Sequence, residues 1–165
     1  SEKAFRKHVE ESMRQQEEDI ESKRREQELF DILRKATIVD LAPELVAEET
    51  RAVFDEFQSQ LSRQKIELKD WLAQQKRKPE EVQKDFEERA SQRLTLRLCI
   101  QKLINEREID IPEEEMKSAL ESLLASVPSE QRKEVEAAYA PGQNAYEQFK
   151  WQKKVEKLID SFLSA

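Results

Sequence analysis

Apolar residues in this chain recur at steps of three and four, the spacing that places them on one side of a helix. From Glu2 to Ala36 there is neither glycine nor proline, and glutamate, lysine, arginine and glutamine dominate, so one long helix is expected over residues 1–36. Its apolar positions Phe5, Val9, Met13, Ile20, Phe30 and Leu33 make a thin seam before Leu29. The first half of that helix should therefore rest lightly on something else.

Thr37 to Ala42 is a short β-favouring stretch, and Pro43 followed by Glu44 suits the first turn of a second helix. That helix carries Val46, Val53, Phe54, Phe57 and Leu61 on one side, then weakens around residues 62–69. A short helix with Leu68, Trp71 and Leu72 follows, and Pro79-Glu80-Glu81 restarts the chain with Val82, Phe86, Ala90, Leu94 and Leu98 at every fourth position. Between Leu94 and Ile104 the stripe widens to cover most of the circumference, which predicts burial on several sides and the centre of the architecture. Asn105 is a candidate helix end, and Ile109-Asp110-Ile111 reads as an extended link into Pro112-Glu113-Glu114-Glu115. Three shorter helices are expected over residues 112–126, 128–140 and 144–163, with Pro141-Gly142 as the last turn and Trp151, Val155, Leu158 and Phe162 as a packing seam.

Composition narrows the picture. The apolar share is 37% and the charged share 39%, so a thick spherical core is not expected, and a single glycine, Gly142, is too few for the turns of a sheet protein. An excess of 36 Asp+Glu over 29 Lys+Arg argues against nucleic acid as a partner, since phosphate binding needs a basic face. The basic clusters Lys23-Arg24-Arg25 and Lys76-Arg77-Lys78 are flanked by glutamates and read as solvated helix surface. No run is apolar enough to cross a bilayer, and one cysteine forms no internal disulfide, which makes a reducing cytoplasm the expected location.

Catalytic chemistry is hard to assemble. His8, the single histidine, lies in a charged helix, and Cys99 sits among leucines and isoleucines as a buried small hydrophobe. Glu113-Glu114-Glu115 is explained by helix-start electrostatics, and the glycines that a phosphate or dinucleotide loop needs are missing. No cofactor and no metal is expected. What remains is surplus amphipathic surface, and the candidate substrate-binding residues are Val53, Phe54, Phe57, Leu61, Trp71, Phe86, Tyr146, Phe149 and Trp151, taken as a set that either lines a concave surface or fills helix seams.

Two segments resemble the carboxy-terminal part of bacterial trigger factors. One is Asp40-Leu41-Ala42-Pro43-Glu44-Leu45-Val46-Ala47-Glu48-Glu49. The other is Glu88-Arg89-Ala90-Ser91-Gln92-Arg93-Leu94-Thr95-Leu96-Arg97-Leu98-Cys99-Ile100, continued by Ile104 to Ile111. The opening residues 1–36 and the closing 154–163 agree in pattern, so the resemblance spans essentially the whole chain.

The resemblance implies an all-α, elongated multi-helix domain with two projecting arms, residues 43–105 supplying one and residues 112–163 the other. It implies an ATP-independent chaperone that holds unfolded and nascent polypeptides in an apolar cradle between those arms, not an enzyme. The family's ribosome-docking and prolyl-isomerase domains are not visible here, so the chain looks like an excised carboxy-terminal part, with ribosome contact only through a missing domain. The missing partner helix would uncover Phe5, Val9 and Met13 and permit self-association. The alternatives are a structural helical oligomer whose stripes are satisfied by self-assembly, and a periplasmic chaperone core of the survival-protein type.

Overall fold

A computed structural model describes residues 2–164. Among the described residues there are seven helices and no strand: α1 (Glu2–Ala36), α2 (Pro43–Arg63), α3 (Leu68–Gln75), α4 (Pro79–Glu106), α5 (Glu113–Ser126), α6 (Arg132–Ala138) and α7 (Asn144–Leu163). The residues fall into two compact units, one of residues 27–99 and one of residues 1–26 with 100–165.

Charge pairing along its own surface holds α1. Lys7 and Glu11, Arg14 and Glu18, and Glu21 with Arg24 and Arg25 are matched at spacings of three and four. Such pairs contribute roughly 0.2–0.5 kcal/mol each in a solvated helix. Glu21 receives guanidinium hydrogen bonds from Arg24 and Arg25, which hold its carboxyl down to about 2 from an ordinary 4.5. The surface expected beneath the first half of α1 does not materialise, since Phe5, Met13 and Ile20 stand 57–68% exposed. His8 is likewise solvent-exposed.

The proline-plus-acid pattern starts α2 and α4 as read from the sequence. Pro43 occupies the first turn of α2 with Glu44 beside it, and the Glu81 carboxylate at the start of α4 accepts the Lys78 N–H at 3.2 Å, one half of a capping box. The helix ends follow a rule that the glycine count hides. Lys65, Lys76 and Glu108 adopt the left-handed conformation at φ 57°, 51° and 52°. After each, the next N–H reaches back five residues: Ile66 to the Leu61 carbonyl at 3.0 Å, Arg77 to Leu72 at 3.1 Å and Ile109 to Ile104 at 2.9 Å. These are Schellman ends, ordinarily given to glycine and here made by charged residues.

In the 27–99 unit the core stripe of α4 is Val82, Phe86, Ala90 and Leu94, joined by Leu61 of α2. Ala90 is fully covered, which lets another element approach closely where a larger side chain would hold it off. In the other unit the core is Ile100, Ile104, Ile111, Met116 and Leu158, with Met116 and Leu158 at 1% exposure. Asp110, in the link before α5, is clamped by α7: Lys154 lies 2.9 Å and Lys150 3.6 Å from its carboxylate, and Lys157 Nζ donates to its carbonyl at 3.1 Å. Arg107 stacks over the Phe162 ring at 4.1 Å and donates to Ser161 at 3.0 Å.

Two expectations need correction. The all-round apolar band of α4 is not buried all round, because Leu98 is 37% exposed and Cys99 is a free, half-buried thiol. The helix expected over residues 128–140 is reduced to Arg132–Ala138, preceded by a turn in which Pro128 accepts the Gln131 N–H at 3.0 Å. Ser129 to Glu134 contains no apolar side chain that would anchor a longer helix. Between α1 and α2 residues 37–42 are irregular linking chain, and Ile38 within them stands fully in solvent.

Candidate binding grooves

Within the 27–99 unit, four rings of the predicted set pack together. Phe54 of α2 meets Phe86 of α4 edge-on at 5.6 Å, Phe57 meets Phe86 at 5.3 Å, and Phe57 meets Trp71 of α3 edge-on at 4.9 Å. Edge contacts of this kind add roughly 0.5–1.5 kcal/mol beyond area burial, so the cluster fixes α2, α3 and α4 relative to one another. Phe86 and Leu61 are buried, whereas Val53, Phe54, Phe57 and Trp71 are half-buried.

Beside this cluster the three helices leave a hollow of about 350 Å³ open to solvent. Its apolar wall is Phe54, Leu68, Leu72, Pro79, Val82 and Phe86, and its polar edge is Thr50, Arg51 and Gln83. A second hollow of about 550 Å³ is lined by Leu41, Pro43, Val46, Ala47 and Glu87 and shares the same polar edge. The two form one track along α2 and α4 with a polar neck. Most of the neck is internally satisfied: the Thr50 hydroxyl donates to the Val46 carbonyl at 2.6 Å and the Gln83 amide donates to Glu87 at 3.0 Å. Arg51 is exposed and makes no ion pair among the described residues.

At the foot of the unit Arg77 donates to Asp85 at 2.6 Å. That bond holds the Asp85 carboxyl below its ordinary range and raises the guanidinium above its own. The pair ties the end of α3 to α4 and keeps the hollow's rim in place.

The other unit has its own hollow, about 620 Å³, between α5 and the α6–α7 corner, with Leu120, Leu124, Tyr139 and Tyr146 on its wall over buried Met116 and the charged Glu113, Lys117, Glu121 and Glu136 along its lining. Phe149 backs Tyr139 edge-on at 5.8 Å, and the Lys153 ammonium lies 5.5 Å over the Phe149 ring. Trp151 is half-buried on α7 and borders none of the three hollows. Size alone does not mark these places. A depression of about 590 Å³ on α2 is lined by Asp55, Gln58, Ser59, Ser62 and Arg63, all polar.

Of the residues predicted to bind, the structure thus places Phe54, Phe86 and Tyr146 on hollow walls. Phe57 and Trp71 support the aromatic cluster and Phe149 backs Tyr139, while Leu61 is core and Val53 lines neither part of the track. Sequence reasoning missed Leu68, Leu72 and Val82 as wall residues. The signal was present, since an eight-residue helix with Leu68 and Leu72 one turn apart has little else to bury them against.

Fold and grooves together define an all-helical chain with a mainly apolar, solvent-open track in one unit and a hollow of mixed apolar and charged lining in the other. The chain belongs to the family of the bacterial trigger factor protein (TF) C-terminus, whose sequence profile matches residues 3–164. It is also similar to a trigger factor of Exiguobacterium sibiricum, 27% identical over 152 residues, a match covering 91% of this chain and 34% of that protein. The chain therefore spans about a third of the length of that relative. No solved structure matches it. Among the described residues no helix is long and apolar enough to cross a membrane.

Proposed function

We propose that this chain is a chaperone module that binds unfolded or nascent polypeptides, without nucleotide, through the apolar hollows of its two units. One observation carries the reading: the track on α2, α3 and α4 is apolar and solvent-open, and exposed Ile38 and Leu45 lie near its end in the sequence. Concave apolar surface with a thin polar edge suits many sequences, because burial of apolar area is non-directional. Family membership supports the same reading, and with it the cytoplasm as the proposed compartment. Neither residue set calls for chemistry on the bound chain, so the module acts by holding.

The test is light scattering of a chemically unfolded client diluted into buffer with and without the chain. Suppression of aggregation is expected, weakened by Leu72→Asp and unchanged by Ser59→Asp in the polar depression, with both variants shown by circular dichroism to be folded. No suppression by the folded chain at molar excess refutes the reading.

The exposed α1 stripe of Phe5, Val9, Met13 and Ile20 favours a second reading, self-association through that face. Sedimentation velocity should then show a concentration-dependent oligomer that Phe5→Ser with Met13→Ser abolishes. A monomer at all concentrations eliminates it.

A further inference from the structure

We infer that the link between α1 and α2 is a docking surface for a helix of another protein, one that carries two lysines a turn apart on an otherwise apolar face. The chain itself shows how such a helix sits, because the end of α1, its link and the start of α2 recur 70 residues later. α1 ends at Ala36 and Ala42 caps α2; α4 ends at Glu106 and Pro112 caps α5. In that register Val39-Asp40-Leu41 matches Ile109-Asp110-Ile111, and Val46 matches Met116. The Val46 and Met116 N–H groups return alike to the cap carbonyls, at 3.2 Å to Ala42 and 3.0 Å to Pro112.

The second copy is covered by α7. Lys150 and Lys154, four residues apart, both reach the Asp110 carboxylate, and Lys157 donates to the Asp110 carbonyl and to Glu115. Ile111, Met116 and Leu158 of α7 are buried there. The first copy repeats the surface without the cover. Val39 is exposed, and Leu41 and Val46 line an open hollow to which α4 contributes Gln83 and Glu87, neither a cation. Ile38 and Leu45 stand in solvent where the second copy has Glu108 and Glu115, so the first copy is the more apolar of the two and the less covered.

Charge and side-chain type define the partner. Asp40, Glu44 and Glu48 form no ion pair among the described residues, and Glu87 accepts from the Gln83 amide. Of the nearby cations, Arg34 donates to Asp31 and Gln92, which leaves Lys35 and Arg51 against four carboxylates. Lysines at i and i+4 repeat on Asp40 the grip that Lys150 and Lys154 have on Asp110. In the place of Lys157 the partner carries an apolar residue, because Leu45 stands where Glu115 does. This docking goes beyond the proposed function: the occupant is a formed helix, and the holding of clients does not depend on it.

Fluorescence anisotropy with the whole chain tests this, using two labelled peptides held helical by a staple on the polar face: residues 144–163 of α7, and the same sequence with Lys157→Leu. The Lys157→Leu peptide should bind roughly fivefold more tightly, since it sets leucine on Leu45. Asp40→Lys in the chain should weaken that binding roughly tenfold, and Ile38→Ser with Leu45→Ser by at least as much. Asp55→Lys, a charge reversal in the polar depression, should change it by less than about twofold, with circular dichroism unchanged in every variant. No binding of the Lys157→Leu peptide, or equal responses to Asp40→Lys and Asp55→Lys, overturns the inference. Equal or tighter binding of the unaltered α7 sequence also overturns it, since the occupant is then α7 of a second copy. Suppression of client aggregation, measured alongside, separates the two claims: the docking alone fails where suppression persists without peptide binding, and the proposed function alone fails where the peptide binds without suppression.

Discussion

Replacing Phe86 with alanine tests whether the aromatic cluster holds the groove's walls in place. Phe86 is 5% exposed and its ring contacts Phe54 at 5.6 Å and Phe57 at 5.3 Å, so truncation removes a buried side chain and two ring contacts at once. Buried phenylalanine-to-alanine changes cost about 3–5 kcal/mol, a large fraction of the 5–15 kcal/mol that stabilises a typical domain. Phe54, half-buried at the rim of the same hollow, should lose only about 1.5–2.5 kcal/mol on the same change. Native-state hydrogen exchange of amides in α2 and α4 reads the difference. Protection should fall by roughly 150-fold to 5,000-fold for Phe86→Ala and clearly less for Phe54→Ala. Equal losses, or a loss below about 1 kcal/mol for Phe86→Ala, would refute the packing account.

The charged Schellman ends predict that Lys65→Gly and Glu108→Gly each stabilise the chain by about 0.5–1 kcal/mol, seen as raised melting temperatures, because glycine removes the left-handed penalty that φ 57° and 52° impose. Asp110 is held down to about 2 from an ordinary 3.8, first by the Lys154 hydrogen bond and then by the Ile111 N–H. A carboxyl with a depressed folded-state value contributes stability that is full above 3.8 and lost as pH falls towards 2. Acid titrations followed by circular dichroism should therefore show a decline across that window, made shallower by Asp110→Asn. Since exposed charge pairs hold α1, 1 M salt should lower helicity reported by a spin label near Arg14 more than by one near Leu94.

Helix starts were legible because each has a local cause. Pro43, Pro79 and Pro112 with their trailing glutamates announce α2, α4 and α5 within a residue. The four-residue stripe Val82, Phe86, Ala90, Leu94 is core as its period requires. Helix ends were less legible, since the usual glycine signal is replaced by Lys65, Lys76 and Glu108, whose left-handed backbone accompanies the return of the Ile66, Arg77 and Ile109 N–H groups to the Leu61, Leu72 and Ile104 carbonyls. The fate of residues 128–131 was hidden for a related reason: proline followed by acid starts a helix only where apolar side chains anchor it. Among site residues the aromatics drew attention by size, yet Leu61 is core and Trp151 borders none of the three hollows. A hollow is made where helices fail to fill space between them, and that shortfall is a property of their packing that no single stripe encodes.

Photo-crosslinking with an unfolded client tests the central claim most directly, using a benzophenone side chain placed in turn at Leu72, Val46, Leu120 and Ser59. The account predicts strong client adducts from the first three, which are apolar wall residues of the hollows, and background levels from Ser59 in the polar depression on α2. Adducts as strong from Ser59 as from Leu72, or none from any of the four on a folded chain, would contradict it.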